Sequence, residues 1–128
     1  MPKASERGAV AVEFAILAPV LIMILLGIME FGRAYNAQIS LTNAAREGVR
    51  VMAVSNNQAS ARTAAKNVAV SLSPGLADAN ITFSATNGTQ NCTATHQMTV
   101  TVSYTLSTLT GIAGPFSMTG RGVMLCGG

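Results

Sequence analysis

The chain has 128 residues, a net charge of +3 and 49% hydrophobic residues, enough for one small folded unit beside a membrane segment. Its pI near 9.3 reflects scarce acids, and no basic cluster is interleaved with aromatics, which argues against a nucleic-acid binder. There is no paired acid, no nucleophile beside a base and no phosphate loop. One histidine, His96, and two cysteines at these spacings do not make a zinc site. No enzyme activity, cofactor, metal or small-molecule substrate is expected.

In chain order, residues 1–8 (MPKASERG) read as a polar, basic leader ending in Gly8, to be set apart from fold reasoning. Residues 9–29 form an apolar run that carries most of the mean hydropathy of +0.41. As a helix it would span about 32 Å, against a hydrocarbon core of about 30 Å. Pro19 inside it removes a backbone hydrogen bond and predicts a kink. Lys3 and Arg7 precede the run, so the positive-inside rule puts the N-terminus in the cytoplasm and the remainder outside; Arg33 weakens this bias without reversing it.

Residues 30–54 predict a continuation of the helix, with Leu41, Ala45, Gly48, Val49 and Met52 on one face. The run SNNQ at 55–58 ends it. A second helix is expected over Ala59–Leu72, with Ala61, Ala64, Ala65, Val68 and Leu72 inward, closed by Ser73-Pro74-Gly75. The period then changes to two. Asn80–Thr86 and Gln97–Ser107 alternate as strands, with Met98, Val100, Val102, Tyr104 and Leu106 on one face. Leu109–Pro115 reads as a loop. Phe116–Cys126 is a third strand, with a bulge expected at Gly120-Arg121-Gly122 because Val123 and Leu125 fall out of phase with Phe116 and Met118. The fold class is α+β: a long transmembrane helix running into an amphipathic helix, a second helix and a three-stranded antiparallel sheet. The organisation is a leader (1–8), a transmembrane helix (9–29), a juxtamembrane extension (30–54) and a small exported domain (55–128).

Glu13 is the residue most in need of a function. An acid inside a membrane-length segment pays a desolvation cost unless it is paired or protonated. Cleavage after Gly8 would free the amine of Ala9, four residues away along a helix, to neutralise it on this chain or a neighbour and so set axial register. The alternative is a carboxylate snorkelling at the headgroups. Gly8 suits a protease that reads an extended leader and needs a small residue before the cut. A secretory signal cut near Gly32-Arg33-Ala34 competes, but the apolar run exceeds the usual length and contains Glu13. Cys92 and Cys126, in an exported domain, predict one disulfide closing about 35 residues and worth roughly 3–4 kcal/mol. Glu30 and Arg33, three apart, are expected to pair on a solvated face, and Arg46-Glu47-Gly48-Val49-Arg50 reads as a wet helix face or a partner contact.

The stretches GAVAVEFAILAPVLIMILLGIMEFGRAY and LTNAAREGVRVMAV resemble the TadE-like family, minor pseudopilins of tight-adherence (Tad) pilus systems. The family's class III leader motif, a glycine followed after four residues by Glu and an aromatic, maps onto Gly8, Glu13 and Phe14; many members carry Tyr where this chain has Phe14. The resemblance implies cleavage by a prepilin peptidase between Gly8 and Ala9, residence in the bacterial inner membrane, and assembly with other Tad pilins and pseudopilins into an adhesive Flp-type pilus. The soluble remainder is too large for a major pilin. The rival expectation is an uncleaved bitopic protein presenting a small extracytoplasmic binding domain.

Overall fold

The structure, a computed structural model, describes residues 2–112 and 114–127, with side chains from Glu6 onward; Met1 of the expected leader, Ala113 of the expected loop and the terminal Gly128 lie outside the described residues. The described elements are α1 (Pro2–Ser55), α2 (Gln58–Val68), a short 3-10 turn (Asp78–Asn80), β1 (Ile81–Ala85), β2 (Gln97–Leu106) and β3 (Phe116–Leu125). The architecture is α+β, with a long apolar N-terminal helix, a second helix and one antiparallel sheet in the order β1-β2-β3. The chain divides into two units, one up to Arg33 and one from Ala34 onward.

The first unit is helix. Alanine, leucine, methionine and isoleucine dominate it, and α1 is unbroken across Pro19, Gly27 and Gly32. Its apolar side chains are exposed on every face: Val10, Phe14, Leu17, Leu21, Leu25 and Ile28 on one side, Val12, Ile16, Met23 and Ile24 on others. A helix apolar all round belongs inside a core or a membrane, and this one is long and apolar enough to cross a bilayer.

In the second unit the remainder of α1 becomes amphipathic. Leu41, Ala45, Gly48, Val49 and Met52 are all buried, as their spacing predicts. The helix ends where Asn56 adopts a left-handed φ of 49° and its N–H donates to the Met52 carbonyl (2.9 Å), a C-terminal stop that asparagine tolerates. Asn57 then caps α2, its side-chain oxygen accepting from the Ser60 N–H at 3.1 Å. The helix α2 stops earlier than its sequence predicts, at Val68 and not Leu72. The Leu72 N–H donates three residues back, to the Ala69 carbonyl (3.2 Å). That tighter turn brings Ala69 and Leu72 inward and leaves Val68 39% exposed. A cis Ser73–Pro74 peptide follows, and the Tyr104 hydroxyl donates to the Pro74 carbonyl at 2.8 Å.

The sheet follows its alternation. Ile81, Phe83 and Ala85 on β1 and Met98, Val100, Val102, Tyr104 and Leu106 on β2 are buried, while threonines and serines fill the opposite face. β3 differs from expectation, because it carries no bulge. Its register with β2 is constant from Gln97↔Leu125 to Leu106↔Phe116. The inward positions are Met118, Gly120, Gly122 and Met124, and Val123 and Leu125 simply face outward. The glycines answer a different need. A Cβ on Gly120 would collide with the Leu41 carbonyl of α1, and one on Gly122 would lie 2.6 Å from the Ala45 carbonyl oxygen. Backbone of helix thus lies directly on backbone of strand. α2 covers the other half of the sheet: Ala61 and Ala65 meet α1 at Gly48, and Arg62 stacks 4.9 Å above the Phe83 ring on β1.

Two Cβ atoms added against backbone cannot be absorbed by rotamer changes. Gly120→Ala and Gly122→Ala are each expected to destabilise the chain by about 2 kcal/mol or more in denaturant unfolding, whereas Gly75→Ala, where a Cβ meets nothing within 4 Å, should be close to neutral.

Candidate functional site

Gly8, Ala9, Glu13 and Phe14 all lie on α1, within its first four turns. Ala9 and Glu13 are one helical turn apart, about 6 Å along the axis, so they share a face. Glu13 is exposed on the apolar helix and the Phe14 ring beside it is 71% exposed. Where the sequence reading expects an extended leader, residues 2–8 are helical and continuous with the rest of α1. A Cβ on Gly8 would meet nothing within 4 Å, so packing gives no reason for a glycine there.

Glu30 and Arg33 pair as their spacing predicts, at 3.9 Å, but not on a wet face: Glu30 is only 8% exposed. Further along α1, Glu47 and Arg50 form a two-pronged ion pair. Arg50 Nη2 donates to Oε1 at 2.6 Å and Nε to Oε2 at 3.0 Å. That hydrogen-bonded contact holds the Glu47 carboxyl below its ordinary range and raises Arg50. With Arg46 and Asn43 the pair lines an open groove of about 620 Å³, floored by Val49 and edged by Val68 of α2 and Val123 and Met124 of β3. Lys66 of α2 donates to Asp78 at 2.6 Å and draws its carboxyl below the usual value. This link between α2 and the 3-10 turn is invisible in the sequence, because the two residues are separated by an irregular segment. The same holds for Arg62 over Phe83.

Cys92 and Cys126 are joined in a disulfide, with Cα atoms 5.4 Å apart, tying the β1–β2 connection to the end of β3. The Cys92 N–H donates to the Asn56 side chain at 2.6 Å, and the Gly127 N–H to the Ala53 carbonyl at 3.1 Å, so the bridge sits against the end of α1. His96 lies beside it, its Nδ1 3.2 Å from both the Thr93 hydroxyl and the Ala94 carbonyl. The N-terminal residues Gly8 to Phe14 are thus grouped by one helix. The disulfide and the ion pairs belong to the second unit.

Residues 8–50 match the family described as TadE-like protein. The segment is TadE-like. The match opens on Gly8, takes in Glu13 and Phe14, and closes on Arg50, so it covers the apolar helix and the buried stripe of α1 as far as Val49, and none of the sheet. No curated protein and no solved structure matches the chain. Within the TadE-like segment lie the Glu30–Arg33 and Glu47–Arg50 pairs, while the disulfide lies outside it.

Both Glu47 and Asp78 hold folded-state pKa values below their unfolded ones, so their contribution is present above the unfolded carboxylate range and is lost as pH falls through the folded values. Melting temperature followed by circular dichroism is expected to be level from neutral pH to about pH 5 and to decline below about pH 4. Asp78→Asn should flatten part of that decline.

Proposed function

We propose that this chain is a membrane-anchored minor pseudopilin that takes part in assembling or initiating a tight-adherence pilus, matured by prepilin peptidase cleavage between Gly8 and Ala9. The observation that carries this reading is the TadE-like match, which opens on the glycine and includes the acid and aromatic that follow it. Three features of the chain support it. Gly8 is free of packing demands, which leaves recognition by another protein as the reason for its small size. α1 displays apolar side chains on all faces, as a segment surrounded by lipid or by neighbouring helices must. The disulfide in the second unit suits an oxidising compartment, in agreement with Lys3 and Arg7 keeping the N-terminus on the cytoplasmic side of the inner membrane.

In this reading α1 does the chemistry of assembly. Cleavage frees the Ala9 amine one turn from Glu13. In low dielectric an amine and a carboxylate at that spacing, or offset between two subunits, neutralise one another, and the pairing fixes how far one helix slides past the next. The role is structural, not enzymatic: its partners are the inner membrane, the peptidase and the other Tad pilins, and the disulfide-braced unit is what the anchor presents outside.

The test is the mass of the protein recovered from cells that express the prepilin peptidase. Loss of residues 1–8 is expected; an intact leader would favour an uncleaved bitopic protein, and a new N-terminus at Tyr35 a freed exported domain. Gly8→Leu is expected to abolish the mass shift without altering the circular dichroism spectrum. Glu13→Ala is expected to leave membrane insertion intact and to reduce surface pili severely; normal piliation in that variant would reduce Glu13 to an interfacial acid.

A further inference from the structure

We infer that the free edge of β3 is a docking site for an acidic, extended segment of a partner protein, which joins the sheet as a further strand beside Arg46 and Arg121. The inference lies wholly within the unit from Ala34 onward. It goes beyond the pilus reading and does not depend on it.

The hydrogen-bonding parity of the sheet shows which groups are open. β3 stands at the end of the order β1-β2-β3. The Thr86 N–H donates to the Gln97 carbonyl and the Cys126 N–H to the His96 carbonyl, so odd residues of β2 bond to β1 and even ones to β3. Met98 faces Met124 and Val100 faces Gly122, so the even residues of β3 are the ones that bond to β2. The odd ones, Ser117, Thr119, Arg121, Val123 and Leu125, turn both N–H and C=O away from β2. In keeping with this, the Gln38 side-chain amide of α1 donates to the Thr119 carbonyl at 2.9 Å from beyond the edge. Past that plug, the edge groups of Arg121, Val123 and Leu125 have no hydrogen-bond partner among the described residues. They recur at about 6.8 Å, the two-residue repeat of a strand. β1, the other edge, is engaged at both ends. The Ile81 N–H donates to the Asp78 carbonyl, and Ala85 donates to the Thr89 carbonyl while accepting from Gly88. A row of alternating donors and acceptors at this repeat is matched by another peptide strand.

The side chains around the row specify the charge of that strand. Arg121 projects from the outer face of the sheet, in line with Val123 and Leu125, which are 48% and 56% exposed. Arg46 stands beside the same stretch on α1. A Cβ on Gly122 would lie 3.0 Å from the Arg46 nitrogen, and Arg46 shares a groove with Val49, Val123 and Met124. Both arginines are exposed and neither has an ion-pair partner among the described residues, whereas Arg50 is held by Glu47. Residues 34–128 carry Arg46, Arg50, Arg62, Lys66 and Arg121 against Glu47 and Asp78, a net charge of +3. Carboxylates on an added strand would therefore pair with Arg46 and Arg121, and apolar residues would sit opposite Val123 and Leu125. A second copy does not meet this demand. No Asp or Glu occurs after Asp78, so none of its strands brings a carboxylate, and pairing β3 with itself adds only basic charge to the edge.

The full chain in detergent micelles is titrated with acetylated, amidated peptides of about eight residues in which valine alternates with glutamate, lysine or threonine. A fourth peptide is the glutamate form with every amide N-methylated, which keeps the charge and loses the donors. Hydrogen exchange at the Arg121, Val123 and Leu125 amides is followed by NMR. The glutamate peptide at about 1 mM is expected to slow these three roughly fivefold or more, and the other three peptides to have little effect. Arg46→Gln and Arg121→Gln, both at exposed and unpaired positions, should each weaken binding by roughly two- to fivefold. Equal slowing by the threonine or lysine peptide would overturn the acidic partner. Equal binding of the N-methylated peptide would overturn strand addition, leaving ionic adsorption alone. Absence of slowing with the glutamate peptide overturns the site outright. Slowing that grows with protein concentration in the absence of peptide assigns the edge to a second copy and overturns it too.

Discussion

The contact on which the second unit depends is between two backbones. Gly120 and Gly122 present no side chains, so β3 lies against the carbonyls of Leu41 and Ala45. Close approach of this kind is how small residues let rigid elements meet with little loss of packing density. It sets the direction of β3 along α1 and, through a constant register, the directions of β2 and β1. It also leaves room on the same sheet face for α2, whose Ala61 and Ala65 meet the helix at a third glycine, Gly48. With few aromatics and many alanines, the unit gains its cohesion from closeness more than from bulk.

Much of this was legible in the residues. The 3.6-residue stripe from Leu41 to Met52 and the two-residue alternation from Met98 to Leu106 each name a buried face, because each element has one partner and one period. The break at Asn56-Asn57 was legible for the same reason: asparagine is suited both to the left-handed stop and to the cap that follows. What misled was β3. Val123 and Leu125 are large and apolar, and a reading that sends such residues inward demands a bulge between them and Met118. The structure keeps the strand regular and turns them outward, because the inward space is filled by the helix backbone. The C-terminal turn of α2 misled similarly: Val68 fits the helical period, but the chain needs Ala69 and Leu72 inward to begin its return toward β1. Periodicity reports which residues are apolar, not how close a neighbour stands.

The candidate site divides in the same way. Gly8, Glu13 and Phe14 lie on the one helix α1, so their relation is a spacing that the sequence states by itself. Cys92 and Cys126 were legible by count alone. The Lys66–Asp78 bridge and Arg62 over Phe83 were not, since both join elements whose approach depends on the path of 69–80. The pairing of Glu30 and Arg33 followed from spacing, but the burial of Glu30 did not, because burial is a property of neighbours and not of interval.

The alignment of α1 with β3 has a mechanical corollary. Tension applied through the helix at Ala34 acts along the seam it shares with the strand, so the Leu41–Gly120 and Ala45–Gly122 contacts are loaded together, in shear. They are not unzipped one after another. At the far end of that seam the Cys92–Cys126 crosslink and the Gly127–Ala53 hydrogen bond anchor the strand's tail beside the last turn of the helix. A chain pulled at Ala34 is therefore gripped along a line and bolted at its end, an arrangement that resists pulling better than peeling.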